Sequence, residues 1–265
     1  TTTRTVNVVD TGAPSITLLG DSPILHELQT AFTDPGATAF DAADGDLTAG
    51  IVVTGTVNSN IAGTYTLTYN VTDSQSNAAA TVSRNVIVAD RTAPTITLTG
   101  NSTVNVEQGS IYTDAGATAA DLIDGDISAS VIPGGTVDTN VSGTYTLTYN
   151  VNDAAGNAAT QVTRTVIVSD TTKPVITLVG SSPLNHEVGT IFTDPGATAS
   201  DNIDGDISAN IGVSGSVNAN TIGAYTLSYN VVDAAGNSAT TTTRTVNVVD
   251  TGAPSITLLG DSPIL

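Results

Sequence analysis

The sequence predicts an all-β chain of tandem β-sandwiches, with about seven strands in each sandwich and the sandwiches stacked end to end. Three observations lead to this prediction. The chain repeats itself every 80 residues, apolar and polar residues alternate over several segments, and helix signals are nearly absent. Alternation with a period of two is typical of half-buried strands, and a long internal repeat indicates an array of similar units.

Two motifs mark the repeat. The segment A-P-S-I-T-L-L-G begins at Ala13, and it returns as A-P-T-I-T-L-T-G at Ala93 and as K-P-V-I-T-L-V-G at Lys173. A triplet Asp-Gly-Asp recurs with the same spacing. The chain therefore divides into three modules, which are residues 11–90, 91–170 and 171–250.

The flanking segments repeat over a longer distance. Residues 1–25 are identical to residues 241–265, although neither matches the intermediate copies. We expect residues 1–10 to be the last strand of a preceding module and residues 251–265 the first strand of a following one. The sequence then belongs to a longer array with a period of 240 residues.

Each module carries the strand pattern of an immunoglobulin-like sandwich. The run T-Y-T-L-T-Y-N-V-T at residues 64–72 places Tyr, Leu and Val on one face and Thr and Asn on the other. The run V-S-R-N-V-I-V at residues 82–88 alternates in the same way, with Arg84 on its apolar face. Short alternating strands separated by turn residues favour this fold.

A glycine two residues before a tyrosine opens the penultimate strand, at Gly63 and Tyr65 in module 1. This spacing resembles the tyrosine corner of immunoglobulin-like sandwiches. Leu67 stands where antibody domains have a cysteine, so no inter-sheet disulfide is expected. Residues 90–93 connect two modules without a flexible linker, and at about 3.3 Å per strand residue three modules would span on the order of 100 Å.

The composition excludes several classes of function. The 265 residues include 25 Asp and Glu but 6 Lys and Arg, for a net charge of −19, so the chain would repel nucleic acid and anionic lipid. The absence of Cys excludes disulfides and thiolate chemistry, and the absence of Trp weakens a sugar-binding interpretation. No segment of 18 apolar residues exists, so no direct membrane insertion is expected.

The acidic residues occupy recurring positions. All but three of the 25 fall in seven columns of the repeat, the exceptions being Asp21, Asp138 and Asp261. One column contains only Glu and six contain only Asp, so side-chain length is held constant, as metal coordination or tight turns require. The Glu column is Glu27, Glu107 and Glu187, and the Asp columns begin with Asp10, Asp34, Asp41, Asp44, Asp46 and Asp73.

Sandwich topology predicts where these columns meet. If the first strand leaves the amino-terminal end of a module and the second returns, the loop of residues 33–46 lies at that end with four Asp columns. The turn after Asp73 and the linker residue Asp10 reach the same end. Without neutralisation each close pair of carboxylates costs about 1–4 kcal/mol. We therefore expect a hard divalent cation with oxygen ligands, Ca²⁺, at each junction.

Other interpretations remain open for single columns. Asp34 precedes Pro35-Gly36, where a carboxylate can simply shape a turn or cap backbone amides, and Asp73 can serve its hairpin turn alone. The Glu column is expected to act structurally, with Glu27 paired to Arg84 or to a neighbouring strand.

The segment T-D-x-G-A-T-A-x-D-x-x-D-G-D and the turn G-x-Y-x-L-x-Y-N-V-x-D-x-x-G-N resemble the immunoglobulin-like repeats of bacterial surface proteins and adhesins, which are loosely related to hyalin-repeat and cadherin-like modules. The resemblance covers all three modules, with Ser76 replacing the turn glycine in module 1. It implies a secreted or cell-surface location and one or two calcium ions at each junction. The implied ligands are Asp10, Asp44, Asp46 and Asp73, then Asp90, Asp124, Asp126 and Asp153, then Asp170, Asp204, Asp206 and Asp233, with Asp41, Asp121 and Asp201 as further candidates.

No catalytic motif is found. His26 and His186 share a column with Val106, and there is no G-x-S-x-G motif, metal-binding His pair or phosphate-binding loop. The sequence predicts a non-catalytic spacer that Ca²⁺ stiffens, with the neighbouring modules as its partners, projecting an adhesive domain from a bacterial surface. Two alternatives remain: a self-assembling extracellular filament or sheath built from further copies, and ligand-binding modules that use the variable loops 51–60, 131–140 and 211–220.

Overall fold

The computed structural model describes residues 1–257 and residue 259, and it contains three repeated pairs of β-sheets. The strands of module 1 are β1 (Ser15–Leu18), β2 (Ile24–Glu27), β3 (Ala37–Asp41), β4 (Gly45–Asp46), β5 (Val52–Thr54), β6 (Gly63–Asn70) and β7 (Val82–Ala89). Those of module 2 are β8 (Thr95–Leu98), β9 (Thr103–Glu107), β10 (Ala117–Asp121), β11 (Gly125–Asp126), β12 (Ile132–Gly134), β13 (Gly143–Asn150) and β14 (Val162–Ser169). Those of module 3 are β15 (Val175–Leu178), β16 (Leu184–Glu187), β17 (Ala197–Asp201), β18 (Gly205–Asp206), β19 (Gly212–Ser214), β20 (Gly223–Asn230) and β21 (Thr242–Val249).

The seven strands of a module form two sheets. In module 1 the sheets have the orders β1-β3-β4 and β2-β7-β6-β5, and module 3 repeats them as β15-β17-β18 and β16-β21-β20-β19. Paired strands are antiparallel, except that β2 runs parallel to β7 and β16 runs parallel to β21. The predicted tandem of immunoglobulin-like sandwiches is confirmed. A single 3₁₀ turn follows β4 and each of its copies, at Thr48–Gly50, Ser128–Ser130 and Ser208–Asn210.

The chain also divides into two compact units by its internal contacts. The first unit comprises residues 1–101, 115–134 and 148–163, and the second comprises residues 102–114, 135–147 and 164–265. Within the first unit, β10 pairs with β8 and β11, and β12 pairs with the end of β13. Within the second unit, β9 runs parallel to β14. None of the helices among the described residues is long and apolar enough to cross a membrane.

One expectation about the acidic segment is wrong. Residues 33–46 are not a single loop, because they contain β3 and β4. The strand that returns to the start of the module is β3, which pairs antiparallel with β1, whereas β2 has moved to the other sheet. The sequence A-T-A-F-D of β3 is short and rich in alanine, so its strand signal is weak. Below, the leading end of a module is where its first strand begins, and the trailing end is where its last strand finishes.

The core lies between the two sheets and follows the predicted alternation. Leu67 and Tyr69 of β6 and Val86 and Val88 of β7 are buried, while the residue between the members of each pair is only partly buried. The hydroxyl of Tyr65 donates a hydrogen bond to the carbonyl of residue 61 at 2.8 Å. Its copies in modules 2 and 3 donate to the equivalent carbonyls, which confirms the predicted tyrosine corner.

A buried arginine links the two sheets of module 1. Arg84 of β7 has no exposed surface, and its guanidinium donates to Asp34 at 2.6 Å and to the carbonyls of Leu19 and Gly36, which flank the other sheet. The Tyr69 hydroxyl donates to both oxygens of Asp34 at 2.8 Å. Burial, and then this hydrogen bond, raises the pKa of Tyr69 to about 12.

The same arrangement recurs in the other modules. Arg164 pairs with Asp114, and Arg244 pairs with Asp194 at 3.0 Å, both through buried guanidinium groups. In module 3 the Tyr229 hydroxyl donates to Asp194, and burial raises the pKa of Tyr229 to about 12. The Asp34 column therefore serves the interior of each sandwich.

The expected pair between Glu27 and Arg84 is also wrong. In the parallel ladder Glu27 lies opposite Ala89, five residues beyond Arg84 on the same strand. Five strand residues correspond to about 16 Å, which is too far for an ion pair. The sequence places Arg84 on a strand but gives neither the pairing of that strand with β2 nor its register.

The assignment of the flanking segments to neighbouring modules stays a prediction. Residues 1–10 form no strand in the structure, although the identical residues 241–250 include β21. Residues 251–257 and 259 also form no strand, and residues 258 and 260–265 lie outside the described part of the chain.

Replacing Asp34 with Ala tests the buried ion pair. The guanidinium of Arg84 would keep its burial but lose its counter-charge, so we expect module 1 to lose about 3 kcal/mol of stability. For a domain of this size the loss lowers one calorimetric transition by on the order of 15 °C. Asp21→Ala, an exposed change outside the acidic columns, should shift no transition by more than a few degrees. Equal melting of the two variants would contradict this account.

Candidate metal centre

The structure gathers carboxylates at the leading end of each module. In each of three clusters, one carboxylate oxygen from every member lies within 4.8 Å of the others. The clusters are Asp10, Asp41 and Asp44, then Asp90, Asp124 and Asp153, then Asp170, Asp201 and Asp233. Each contains the linker aspartate of its module, and together they draw on four Asp columns.

Backbone amides hold these carboxylates in place. In module 3, Asp201 ends β17 and accepts the amides of Ile203 and Asp204 at 2.8 and 3.1 Å. Asp204 accepts the amide of Ala234 from the β20–β21 turn at 2.7 Å. The linker residue Asp170 accepts the amide of Thr172 at 3.1 Å. The local turns therefore fix one oxygen of each carboxylate.

The other oxygens include several that are buried without a partner. Asp121, Asp170 and Asp201 are 9%, 7% and 9% exposed, and the Oδ2 atom of each has no hydrogen-bond donor. The Oδ2 atom of Asp10 is also buried and unpartnered. A buried acceptor without a donor costs roughly 1–3 kcal/mol, and more when it is charged. These oxygens fit a bound cation, because an ion would replace the missing donors.

The electrostatics of the clusters support the same fit. Burial raises the pKa of Asp90, and the charges of Asp121, Asp153 and Glu27 add to the effect. Burial likewise raises the pKa of Asp170, with a contribution from Asp201. Over residues 1–257 and 259, no lysine or arginine forms an ion pair with a cluster carboxylate. The protein therefore supplies oxygen ligands and negative charge but no internal counter-ion.

An asparagine attaches the linker to the cluster. Asn77 Nδ2 donates to Asp73 at 2.7 Å and to the carbonyl of Asp10 at 3.3 Å, and Asn157 and Asn237 do the same in modules 2 and 3. For Asp153, burial opposes ionisation, but the hydrogen bonds from Asn157 and backbone amides outweigh it, so its pKa is lowered. From the sequence alone this asparagine is only the last residue of a turn motif. The sequence signal for a further role is that an asparagine stands four residues after this aspartate in every module.

The second aspartate of the Asp-Gly-Asp triplet lies elsewhere. Asp46, Asp126 and Asp206 are exposed and belong to none of the three clusters. Each accepts the backbone amide two residues later, at 2.9 to 3.0 Å, at the start of the 3₁₀ turn. Hydrogen bonds from the side chain and backbone of Ser208 lower the pKa of Asp206. The first aspartate of the triplet is a cluster member in modules 1 and 2, as Asp44 and Asp124, but Asp204 is not; of the further candidates, Asp41 and Asp201 are members and Asp121 is not.

The glutamate column lies at the trailing end of each module, next to the linker. Glu27 accepts the amide of Arg91, and Glu107 accepts the amides of Thr171 and Thr172. The hydroxyl groups of the two threonines, and then their amides, lower the pKa of Glu107 to about 2. The sequence does not predict this contact, although a column restricted to Glu indicates that a side chain of fixed length is needed.

Comparison with known proteins assigns the family. A profile described as the Ig-like domain of bacterial surface proteins matches residues 16–88, 96–168 and 176–248, so the chain belongs to the bacterial surface Ig-like domain family. The chain is 30% identical over 227 residues to an uncharacterized 81.3 kDa protein of Acholeplasma phage L2. The alignment covers 81% of this chain and 30% of the phage protein.

Two sea-urchin proteins named hyalin are also similar. The protein of Strongylocentrotus purpuratus is 34% identical over 209 residues, covering 73% of this chain and 17% of its own length. That of Lytechinus variegatus is 30% identical over 285 residues, covering 98% of this chain and 52% of its own length. The chain thus spans about half or less of each of these three relatives.

Solved structures align only weakly. The Bacteroides thetaiotaomicron lipoprotein BT2262 is 20% identical with a TM-score of 0.27, and it covers 55% of this chain and 96% of its own. Drosophila N-cadherin EC1-4 is 12% identical with a TM-score of 0.29, and it covers 91% of this chain and 76% of its own. Scores this low carry no argument about function.

Replacing Asp201 with Asn tests whether the cluster carboxylate, and not another Asp of the same loop, binds calcium. Asparagine keeps an oxygen for the amides of Ile203 and Asp204 but removes a buried charge, so we expect metal-free module 3 to gain about 1 kcal/mol. The same variant should lose the stabilisation of that module by Ca²⁺. Calorimetry in chelator and in calcium measures both effects.

The matched control is Asp206→Asn, which removes the same charge from an exposed position of the same loop. Its response to calcium should equal that of the unmodified chain. A greater loss of the calcium response in Asp206→Asn than in Asp201→Asn would contradict the cluster as drawn.

Proposed function

We propose that this chain is a non-catalytic spacer of a bacterial surface protein, in which Ca²⁺ bound at the leading end of each module fixes the linker to that module. One observation carries the proposal: buried carboxylate oxygens without donors, on Asp10, Asp170 and Asp201, lie in the carboxylate clusters beside the linkers. Hard oxygen ligands of this kind suit Ca²⁺.

The cluster members explain how an ion would act on the linker. Asp170 belongs to the linker, whereas Asp201 and Asp233 belong to the body of module 3. An ion shared by these carboxylates draws a linker residue onto the sandwich that follows it. Without the ion, the repulsion among the same carboxylates, about 1–4 kcal/mol for each close pair, favours separation of the linker from the body. Calcium would therefore change the stability and the linker geometry together.

The family supports the location and the mechanical role. Its members are Ig-like domains of bacterial surface proteins, and the three matched domains follow one another in a single chain. A tandem of small sandwiches joined by short linkers can hold a distal adhesive domain away from a surface. Extracellular calcium-binding modules typically bind at about 10⁻⁴–10⁻³ M, which suits an ion supplied by the environment.

Melting and small-angle scattering of the full chain, each with calcium and with chelator, test the proposal. At about 100 times the dissociation constant, one ion adds about 2.7 kcal/mol per module, which raises its melting temperature by on the order of 10 °C. We also expect the maximum dimension to be larger and better defined with calcium.

Asp21→Asn serves as a charge-matched control, because Asp21 is exposed and outside the clusters, and it should respond as the unmodified chain does. Magnesium at the same concentration should stabilise the modules less, because it requires a tighter octahedral shell. If calcium in the millimolar range changes neither the melting temperature nor the maximum dimension, the proposal is wrong.

A further inference from the structure

We propose that the glutamates Glu27, Glu107 and Glu187 form a second linker attachment, here called the glutamate clamp, which fixes each linker to the module before it. The clamp complements the metal clusters, which would fix the linker to the module after it. The orientation of successive modules then depends on both attachments. This inference deepens the proposed function, but its contacts do not require a metal ion.

The position of the clamp follows from a strand register. Each glutamate is the last residue of the strand that runs parallel to the final strand of its module. Glu27 lies opposite Ala89, Glu107 opposite Ser169 and Glu187 opposite Val249. The carboxylate therefore stands beside the point where the chain leaves the sandwich, and the linker begins one residue later.

The contacts are most extensive after module 2. Glu107 accepts the amide of Thr171 on both oxygens at 3.1 Å and the amide of Thr172 at 3.2 Å. The hydroxyl groups of the two threonines donate to the same carboxylate, that of Thr172 at 2.8 Å. Four donors from two linker residues thus converge on one side chain. Charge-assisted hydrogen bonds of this type are about twice as strong as neutral ones.

The clamp after module 1 is weaker. Glu27 accepts the amide of Arg91, at 3.2 Å to each oxygen, and this linker position carries no hydroxyl group. The amide of Thr92 donates instead to Asp90 at 3.2 Å. The clamp after module 3 is intermediate, with the amide and the hydroxyl of Thr251 on Glu187. The linkers of one chain therefore differ in how firmly they are attached to the preceding module.

The residue type fits this role. Glutamate has one methylene more than aspartate, which adds about 1.5 Å of reach from the strand to the linker. Among the described residues, the glutamates belong to none of the three metal clusters, and their oxygens are directed to amide and hydroxyl donors. The column is thus the one acidic position at which a longer side chain is needed. Its negative charge also lies close to Asp90, where it adds to the field that attracts a cation.

Spin-label distance measurements on the full chain test the clamp. The chain has no cysteine, so labels can be placed at the exposed equivalent positions Thr56, Thr136 and Ser216, one in each module. In chelator, the 136–216 distance distribution should be narrower than the 56–136 distribution. Glu107→Ala should broaden the 136–216 distribution by about twofold or more, because a linker freed at one end samples more orientations.

The matched control is Glu27→Ala, which should leave the 136–216 distribution unchanged and affect the 56–136 distribution less. A Thr171→Ala and Thr172→Ala double variant removes two donors from the linker side while Glu107 stays in place, so it should broaden the 136–216 distribution to an intermediate extent. Calorimetry of each variant verifies that module 2 remains folded.

Two results would overturn the inference. One is a 136–216 distribution that neither Glu107→Ala nor the double threonine variant broadens. The other is a fall in calcium affinity by about a thousandfold or more in Glu107→Ala, since this exceeds the loss of one neighbouring charge and would make the glutamate a metal ligand. Because the widths are measured in chelator, failure of the chain to bind calcium would overturn the proposed function and leave the test of the clamp intact.

Discussion

The architecture of each junction depends on carboxylates that the backbone holds close together. Amides from the tight turns fix one oxygen of Asp201, Asp204 and Asp170, and this places like charges at the leading end of the sandwich. Several second oxygens then remain buried without donors. The Asp-Gly-Asp turn, the asparagine contact to the linker and the short linker itself all serve this placement, and a cation is the partner that would relieve its cost.

The interior of the sandwich uses a different carboxylate for a different purpose. Arg84 crosses from β7 to the carbonyls of Leu19 and Gly36 beside the other sheet, and Asp34 neutralises it there. In a chain without cysteine, and so without the inter-sheet disulfide of antibody domains, this buried pair connects the two sheets. Removing one partner of such a pair is costly because the other stays buried. The acidic columns of the repeat therefore divide into one that stabilises the fold and others that shape the junctions.

The linkers are held from two sides by unlike interactions. Toward the following module, Asn157 and the carboxylates around Asp90 meet the linker; toward the preceding module, Glu27 accepts the amide of Arg91. Under the proposed function the first set would respond to cations, whereas the second consists of hydrogen bonds that need no ion. A linker of a few residues can then have a defined direction without rigidity of its own. The linker that contacts Glu107 donates threonine hydroxyl groups, whereas the linker that contacts Glu27 donates only the amide of Arg91. The junctions of one chain are therefore not equivalent.

Much of this organisation could be predicted from the sequence, because it depends on local pattern. The repeat, the alternating strands, the tyrosine corner and the recurrence of Asp at fixed positions are visible without coordinates. The partners of Arg84, Glu27 and Asp46 were not predictable, since each depends on which strands lie side by side and in what register. The alternation places Arg84 on a strand, but only the parallel pairing of β2 with β7 shows that Glu27 lies five residues away from it along the ladder.

The two identical segments also show the difference between what the sequence predicts and what the pairing of strands decides. Residues 241–250 contain the whole of β21, which lies between β16 and β20, whereas residues 1–10 have the same sequence and form no strand. The sequence by itself determined the alternation that allows a strand. Only the tertiary structure decided whether that strand exists, because the hydrogen-bond partners of a β-strand come from other segments of the chain.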